Sequence, residues 1–399
     1  MMMTNSIYIL YYFSINKRKM KIVCKTSDLL QTLQFVSRAV SSQQALPILQ
    51  NILLQTESGT CRVSATDLEL SITSILPVTV EKEGSITVPV KALLNFVQYN
   101  SQEETTLEVI AEGKLRCASV QTKTILCSEP TEHYPKIEML KEKDQVFFEP
   151  LSLLEGLHLT TFAAARSSLR PVLSGVYVKV QEEGMIVVAT DSYRLSEYVL
   201  PVSTEGKEVE CIVPVKVLEE LKGVIGGSQK TKKPSKEEVP LTVAVALSTQ
   251  QVQFTIGSTR VLSRLIDGRF PNYKQIIPTE TKTVATFSVS ELTTTVKRMH
   301  YFAKEMNNTL TFTFSKGSVH ISTPQTQLGS EESTLSVATS GQENKIALSS
   351  SYCLDFLSHI EDGEVEMCVQ DSMHPAVFRV PGKEYVLHLI MPLRIQEDV

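Results

Sequence analysis

The chain contains no C-x-x-C pair, no H-E-x-x-H spacing, no apolar run of bilayer length and no excess of basic charge, and each gap removes a class of function. Its seven cysteines, Cys24, Cys61, Cys117, Cys127, Cys211, Cys353 and Cys368, are odd in number and widely spaced. That pattern reads as reduced, mostly buried small apolar residues of a cytosolic protein, with no redox or metal role. The seven histidines are equally scattered, so neither a metal nor a cofactor is expected. The run Ile7 to Ile15 is about half the length that a bilayer span needs, so no membrane association is expected. Its basic cluster, Lys17-Arg18-Lys19, follows the apolar run, which is the wrong order for a secretory signal. Residues 1–19 are therefore expected to be a disordered extension or a mis-set start, with translation beginning at Met20. A formal net charge of -5 argues against a protein coated in basic surface and leaves a local basic stripe possible.

What the chain does contain is repetition. With 399 residues and 42% hydrophobic content it has material for two to four domains. The stretch TVPVKALLNFV at 87–97 returns as IVPVKVLEELK at 212–222 and, more loosely, as IALSSSYCLDFL at 346–357. Each is an extended entry followed by apolar residues at helical spacing, a strand running into a short helix. A second set comprises DLLQTLQFVSRAV from Asp28, SLLEGLHLTTFAAA from Ser152 and ELTTTVKRMHYFA from Glu291, amphipathic helices each expected to open on a polar cap residue. A third pair, ILCSEPTEHYPKI at 125–137 and LSRLIDGRFPNYKQI at 262–276, aligns on Tyr134-Pro135 and Phe270-Pro271. The spacing implies three tandem units of about 125 residues. Between the helices the sequence alternates as strands do, so each unit is α+β, antiparallel strands with two helices on one face. The lysine-rich QKTKKPSKEEVP at 229–240 reads as a solvated loop.

ATDLEL at 65–70 and ATDSYRL at 189–195 form another repeated element. If Asp67 and Glu69 lie two apart on a strand they share a face, and together with Asp191 could serve a metal-dependent hydrolase. Against this, SVHISTPQTQLG in the third unit carries no acidic residue, and no nucleophile or histidine recurs near either copy. An aspartate after Ala-Thr is more simply a strand-end turn whose carboxylate accepts backbone N–H groups, so the scaffold was duplicated and no catalytic residue is expected.

The motifs QALPILQNILL (44–54), ATDLEL, VPVKALL, RPVLSGV (170–176), ATDSYRL, VPVKVL, LIDGRFPNY (265–273), SSSYCLDFL (349–357) and LIMPLRI (389–395) together resemble the bacterial DNA polymerase III beta subunit, the beta sliding clamp family. They run in that family's order from Met20 almost to the C-terminus. After the extension at 1–19, the resemblance implies clamp domains at 20–143, 144–279 and 280–399. It further implies a homodimer closed into a ring, helices lining the hole and antiparallel sheets outside, acting in the cytoplasm as a non-enzymatic processivity factor. Arg38, Lys91, Arg166, Arg170, Lys216, Lys222, Lys297, Arg298 and Lys304 would face the phosphates of double-stranded DNA without reading bases. Where the family often has arginine in the loop after the first helix, this chain has Gln43. Tyr301 and Phe302 would close the ring against a partner strand near Leu126. A clamp-like structural protein that no longer encircles DNA is the other alternative to the hydrolase.

The resemblance also implies one peptide-binding pocket, shared by the DNA polymerase III alpha subunit, the clamp loader and other replication and repair proteins. Its walls would be Leu173, Thr190, Arg194, Leu195, Pro271, Ile276, Tyr352, Met391, Pro392 and Leu393, mostly apolar with two polar anchors. Ser192-Tyr193 stands where many relatives have Gly-His, Gln275 where they have arginine, and QEDV at 396–399 extends the usual ending.

Overall fold

A computed structural model describes residues 20–41, 46–141, 145–166, 169–181, 184–200, 209–231 and 241–394. The expected extension at 1–19, Gln43, most of the lysine-rich loop and the QEDV ending lie outside the described residues. Six α-helices occur among the described residues: α1 (Thr26–Val36), α2 (Val90–Gln98), α3 (Pro150–Thr160), α4 (Val215–Thr231), α5 (Val289–Ala303) and α6 (Ser350–Leu357). They come two to each sequence repeat, as the amphipathic patterns require. All named strand pairings are antiparallel, also as expected.

The described residues pack into two compact units, each built from segments of more than one repeat: those up to 150 with those of 220–264, and those of 151–219 with those from 265 on. In the first unit an eight-stranded sheet carries, in order, Val146–Phe148, Val243–Leu247, Gln251–Ile256, Thr259–Arg264, Leu70–Leu76, Thr60–Thr66, Asn51–Glu57 and Ser85–Pro89. Strand 259–264 of the second repeat pairs directly with strand 70–76 of the first, Val261 opposite Ile72. A five-stranded sheet beside it ends on Lys123–Cys127. In the second unit a nine-stranded sheet is joined in the same way, strand Arg194–Leu200 pairing with Lys383–Ile390. Its four-stranded companion ends on Glu332–Ser336. Repeats are therefore stitched edge to edge, which hides strand edges that would otherwise template aggregation.

The polar residues expected to cap three helices sit inside them. α1 starts at Thr26 after Lys25 and α5 at Val289 after Ser288, neither with a side-chain cap. The strand runs straight into the helix, and a neighbouring carbonyl takes the first free N–H: Thr26 donates to Glu103 (2.8 Å), Val289 to Gly363 (2.9 Å) and Ser350 of α6 to Asn308 (2.7 Å). Asp28 and Glu291 instead lie in the first turn, where a negative charge suits the helix dipole. α4 is longer than the sequence implied and continues through Gly223, Gly226 and Gly227. Two of these glycines let α1 and the 3-10 turn after it approach: a Cβ on Gly223 would lie 2.2 Å from the Arg38 guanidinium, and one on Gly227 2.6 Å from the Phe35 ring, while Gly226 faces open space.

Five of the seven cysteines are buried, Cys211 is half-buried and Cys127 is exposed; none is in a disulfide. Burial pushes the thiols of Cys24, Cys61, Cys117 and Cys353 up to about 12, so they stay protonated and unreactive at neutral pH. Gly341 shows where the backbone tolerates no side chain, because its φ is +90° and a Cβ would meet the Lys282 carbonyl oxygen at 2.0 Å. Gly341→Ala should cost at least about 2 kcal/mol. Gly317→Ala, at φ +78° with nothing within 4 Å, should carry only the backbone strain. Urea midpoints of the two variants test this, and equal midpoints would remove the carbonyl clash from the explanation.

Candidate functional site

The two ATD segments fold into the same turn, bond for bond. In the first, Asp67 Oδ1 accepts the N–H groups of Glu69 (3.1 Å) and Leu70 (2.7 Å), while the Thr66 hydroxyl donates to the Leu70 carbonyl (3.1 Å) and accepts the Leu68 N–H (3.0 Å). In the second, Asp191 Oδ1 accepts from Tyr193 (2.9 Å) and Arg194 (3.0 Å). Thr190 there donates to the Arg194 carbonyl (2.6 Å) and accepts from Ser192 (3.1 Å). Leu68 and Ser192 take the same left-handed conformation, φ +78° and +80°. Asp67 and Glu69 thus lie in a turn between strands, and the shared face expected of a strand pair does not exist. Each aspartate is an Asx-turn acceptor. Among the described residues no group of three or more His, Cys, Asp or Glu could hold a metal ion.

After the shared Ala-Thr-Asp the copies differ at three positions, and the buried one is the third, Leu70 in the first and Arg194 in the second. Arg194 is 6% exposed. Its Nε donates to Asp191 Oδ2 (3.0 Å), one terminal nitrogen to the Phe162 carbonyl (2.8 Å) and the other to Asp355. The guanidinium carbon sits 4.8 Å from the centre of the Tyr352 ring, on α6. Leu195 faces the opposite side of the sheet from Arg194 and joins a buried cluster with Phe270, Tyr273 and Leu389, against which half-buried Met391 packs. After strand 383–390 the chain is held by Met391 N–H to the Tyr193 carbonyl and Leu393 N–H to the Ala347 carbonyl, both 2.8 Å, with Pro392 between. The structure therefore brings Thr190, Arg194, Leu195, Tyr352 and Met391 to Leu393 together.

The remaining wall residues divide. Leu173 is buried. Its N–H donates to the Arg170 carbonyl (3.0 Å) and its carbonyl accepts from Ala165 (2.9 Å). Pro271 and Ile276 are exposed, while their neighbours Phe270 and Ile277 pack on the cluster. Sequence reasoning passed over Asp355 and Phe162. The only signal for Asp355 was its position three residues after Tyr352 in SSSYCLDFL, one helical turn on. It also passed over Met373, 80% exposed in a third Asx turn where Asp371 accepts the N–H groups of Met373 (2.9 Å) and His374 (3.0 Å). The hydrogen bond from His374 holds the Asp371 carboxyl below the usual range. That turn lies at the same end of the nine-stranded sheet as Tyr193, since Ala376 and Arg194 both pair with Ile390.

Beneath the turn, His388 is buried, stacked on Phe356 at 4.4 Å and hydrogen-bonded to the Ser196 hydroxyl at 2.6 Å. Burial first, then the charges of Arg194 and His359, hold its pKa well below the usual 6.5, so the ring is neutral at physiological pH.

The candidate DNA-facing cations are placed within their own units. In the first unit Arg38 pairs with Glu220 (2.9 Å) across Gly223, Lys91 is exposed in the first turn of α2, and Lys222 is half-buried on α4. In the second, Arg166 and Arg170 are exposed beyond α3, and Lys216 is exposed in the first turn of α4. Lys297 and Arg298 are exposed on α5, Arg298 bonded to Glu331 and to Ser333 (3.3 Å), and Lys304 follows in a 3-10 turn. Tyr301 is 64% exposed at the end of α5, edge-on to half-buried Phe302 at 5.4 Å. Leu126 is half-buried on outer strand 123–127, and its neighbour Ile125 is the more exposed.

Three family models match in succession: the N-terminal domain of the DNA polymerase III beta subunit at residues 20–138, the central domain at 150–272 and the C-terminal domain at 274–394. The beta sliding clamp of Synechocystis is 27% identical, over 94% of this chain and 100% of that protein. A crystal structure of the Bacillus subtilis DNA polymerase sliding clamp is 25% identical with a TM-score of 0.86, covering 95% of this chain and 100% of that one. A sliding clamp from Bartonella birtlesii, solved bound to griselimycin, is 27% identical with a TM-score of 0.85, covering 94% and 100%. With three domain matches in order from residue 20 to residue 394, and a fold shared with solved clamps over nearly its whole length, the chain belongs to the DNA polymerase III beta subunit family.

Proposed function

We infer that the protein is a DNA sliding clamp, a processivity factor that encircles duplex DNA and tethers the replicative polymerase, and that it catalyses nothing itself. The observation that carries this is the ordered succession of three beta-subunit domain matches on a chain whose turns and helices recur with the same period. On this reading the domains run 20–143, 144–279 and 280–399, and two copies close head to tail into a ring in the cytoplasm. DNA is held by topology, so a few cations that touch phosphates through water suffice. Lys91, Lys216, Lys297 and Lys304, exposed on or beside helices, suit that role best. Arg38, engaged with Glu220, serves as a link between the 3-10 turn after α1 and α4.

The partner-peptide pocket is the region around Arg194, Leu195, Tyr352 and Met391 to Leu393, with Leu173 as a buried support. It would serve the DNA polymerase III alpha subunit, the clamp loader and other replication and repair proteins in turn.

Closure of the ring is supported by two open sheet edges, Lys123–Cys127 in the first unit and Glu332–Ser336 in the second, and by exposed Tyr301. Replacing Tyr301 and Phe302 together by glutamate places two charges in an apolar contact and should yield folded monomers. Sedimentation velocity tests it, and a double variant that still sediments as a dimer would show that the interface lies elsewhere.

A further inference from the structure

Among the residues whose burial is described, Arg194 is the one buried lysine or arginine. Burying a cation is costly unless it is fully paired, so its presence calls for a reason. The turn is not that reason. The first copy of the turn makes all four of its hydrogen bonds with buried Leu70 at the same place. Beyond one bond back into the turn, from Nε to Asp191 Oδ2 (3.0 Å), the arginine's added contacts run outward, to the Phe162 carbonyl, to the ring of Tyr352 and to the carboxylate of Asp355. Tyr352 and Asp355 are one helical turn apart on α6, so a cation held by the second is laid against the ring of the first.

We propose that Asp355 is a positioning residue of the partner-peptide pocket: by holding the Arg194 guanidinium against Tyr352 it fixes the spacing between the ATDSYRL turn and α6. This rests on the pocket reading above. Asp355 need not touch the peptide, and it differs from the wall residues in acting only through Arg194. Its carboxylate is about one-third exposed, so its removal leaves no buried void. What is lost is the register of the wall.

The test uses the full-length dimer and a fluorescein-labelled peptide copied from the DNA polymerase III alpha subunit of the same organism. Asp355→Asn should weaken binding about tenfold, mainly through faster release, with an unfolding midpoint close to that of the parent. Asp355→Glu, which keeps the charge, should recover most of that loss. In an Arg194→Leu background, Asp355→Asn should add nothing, because the group it acts through is gone. Should Asp355→Asn fail to fold, Asp355→Ser takes its place, small enough for the one-third exposed site and expected to show the same loss. Unchanged affinity in Asp355→Asn, or a loss undiminished in the Arg194→Leu background, overturns the proposal. Met391→Ala measured in parallel separates the two readings. If it loses affinity while Asp355→Asn does not, the pocket stands and the Asp355 role falls; if it too binds normally, the pocket itself is misplaced.

Discussion

Met391→Ala combined with Pro392→Ala should lower affinity for a polymerase-derived peptide about thirtyfold while the dimer and its stability persist. The reason is a separation of tasks along four residues. Frame and wall are different atoms there: the backbone N–H groups of Met391 and Leu393 tie the segment to Tyr193 and Ala347, and those bonds survive truncation of the side chains. The Met391 side chain packs half-buried on the cluster of Leu195, Phe270, Tyr273 and Leu389, offering a thioether that adapts to varied anchors. Pro392 has no N–H to continue the ladder, so the chain leaves the sheet there and crosses to Ala347. Losing an anchor wall of this kind costs about 2 kcal/mol, which is the thirtyfold. Fluorescence anisotropy with the labelled peptide measures it, and parental affinity in the double variant would place the pocket elsewhere.

The repeats could be read from sequence because each is written in short-range chemistry. An Ala-Thr-Asp turn depends on one carboxylate, one hydroxyl and a left-handed residue within five positions, and both copies fold as that pattern dictates. The same holds for Pro47 and Pro171, each opening a 3-10 turn ahead of its strand, and for Tyr134 and Phe270, each packing back near that turn. Misjudged features depended on partners distant in sequence. Asp28 and Glu291 were expected to cap helices, but the N–H groups are taken by carbonyls of Glu103 and Gly363, which no local pattern reveals. α4 was expected to be short, yet it continues through Gly223 and Gly227, whose lack of side chains serves Arg38 and Phe35, about 190 residues earlier. Arg194 was named as a polar anchor for peptide, yet the structure engages its nitrogens with Asp191, Phe162 and Asp355. A residue type tells that a charge is present; only the fold tells whether it is already used.

Retention on DNA should be all or none with topology. A ring that surrounds the duplex leaves only at an end, so salt that screens its few phosphate contacts should not release it from a closed or nicked circle. A protein held by those contacts alone would lose orders of magnitude in affinity over the same range of salt, from circles and linear molecules alike. The exposed lysines Lys91, Lys216, Lys297 and Lys304 are too few, on a chain of net charge -5, to hold DNA through high salt by attraction. The decisive measurement therefore loads the protein onto nicked circular DNA with a clamp loader and ATP, washes in high salt, and then cuts the circle once with a restriction enzyme. The sliding-clamp account predicts that the protein stays bound through the wash and runs off after the cut; equal loss from circular and linearised DNA would contradict it.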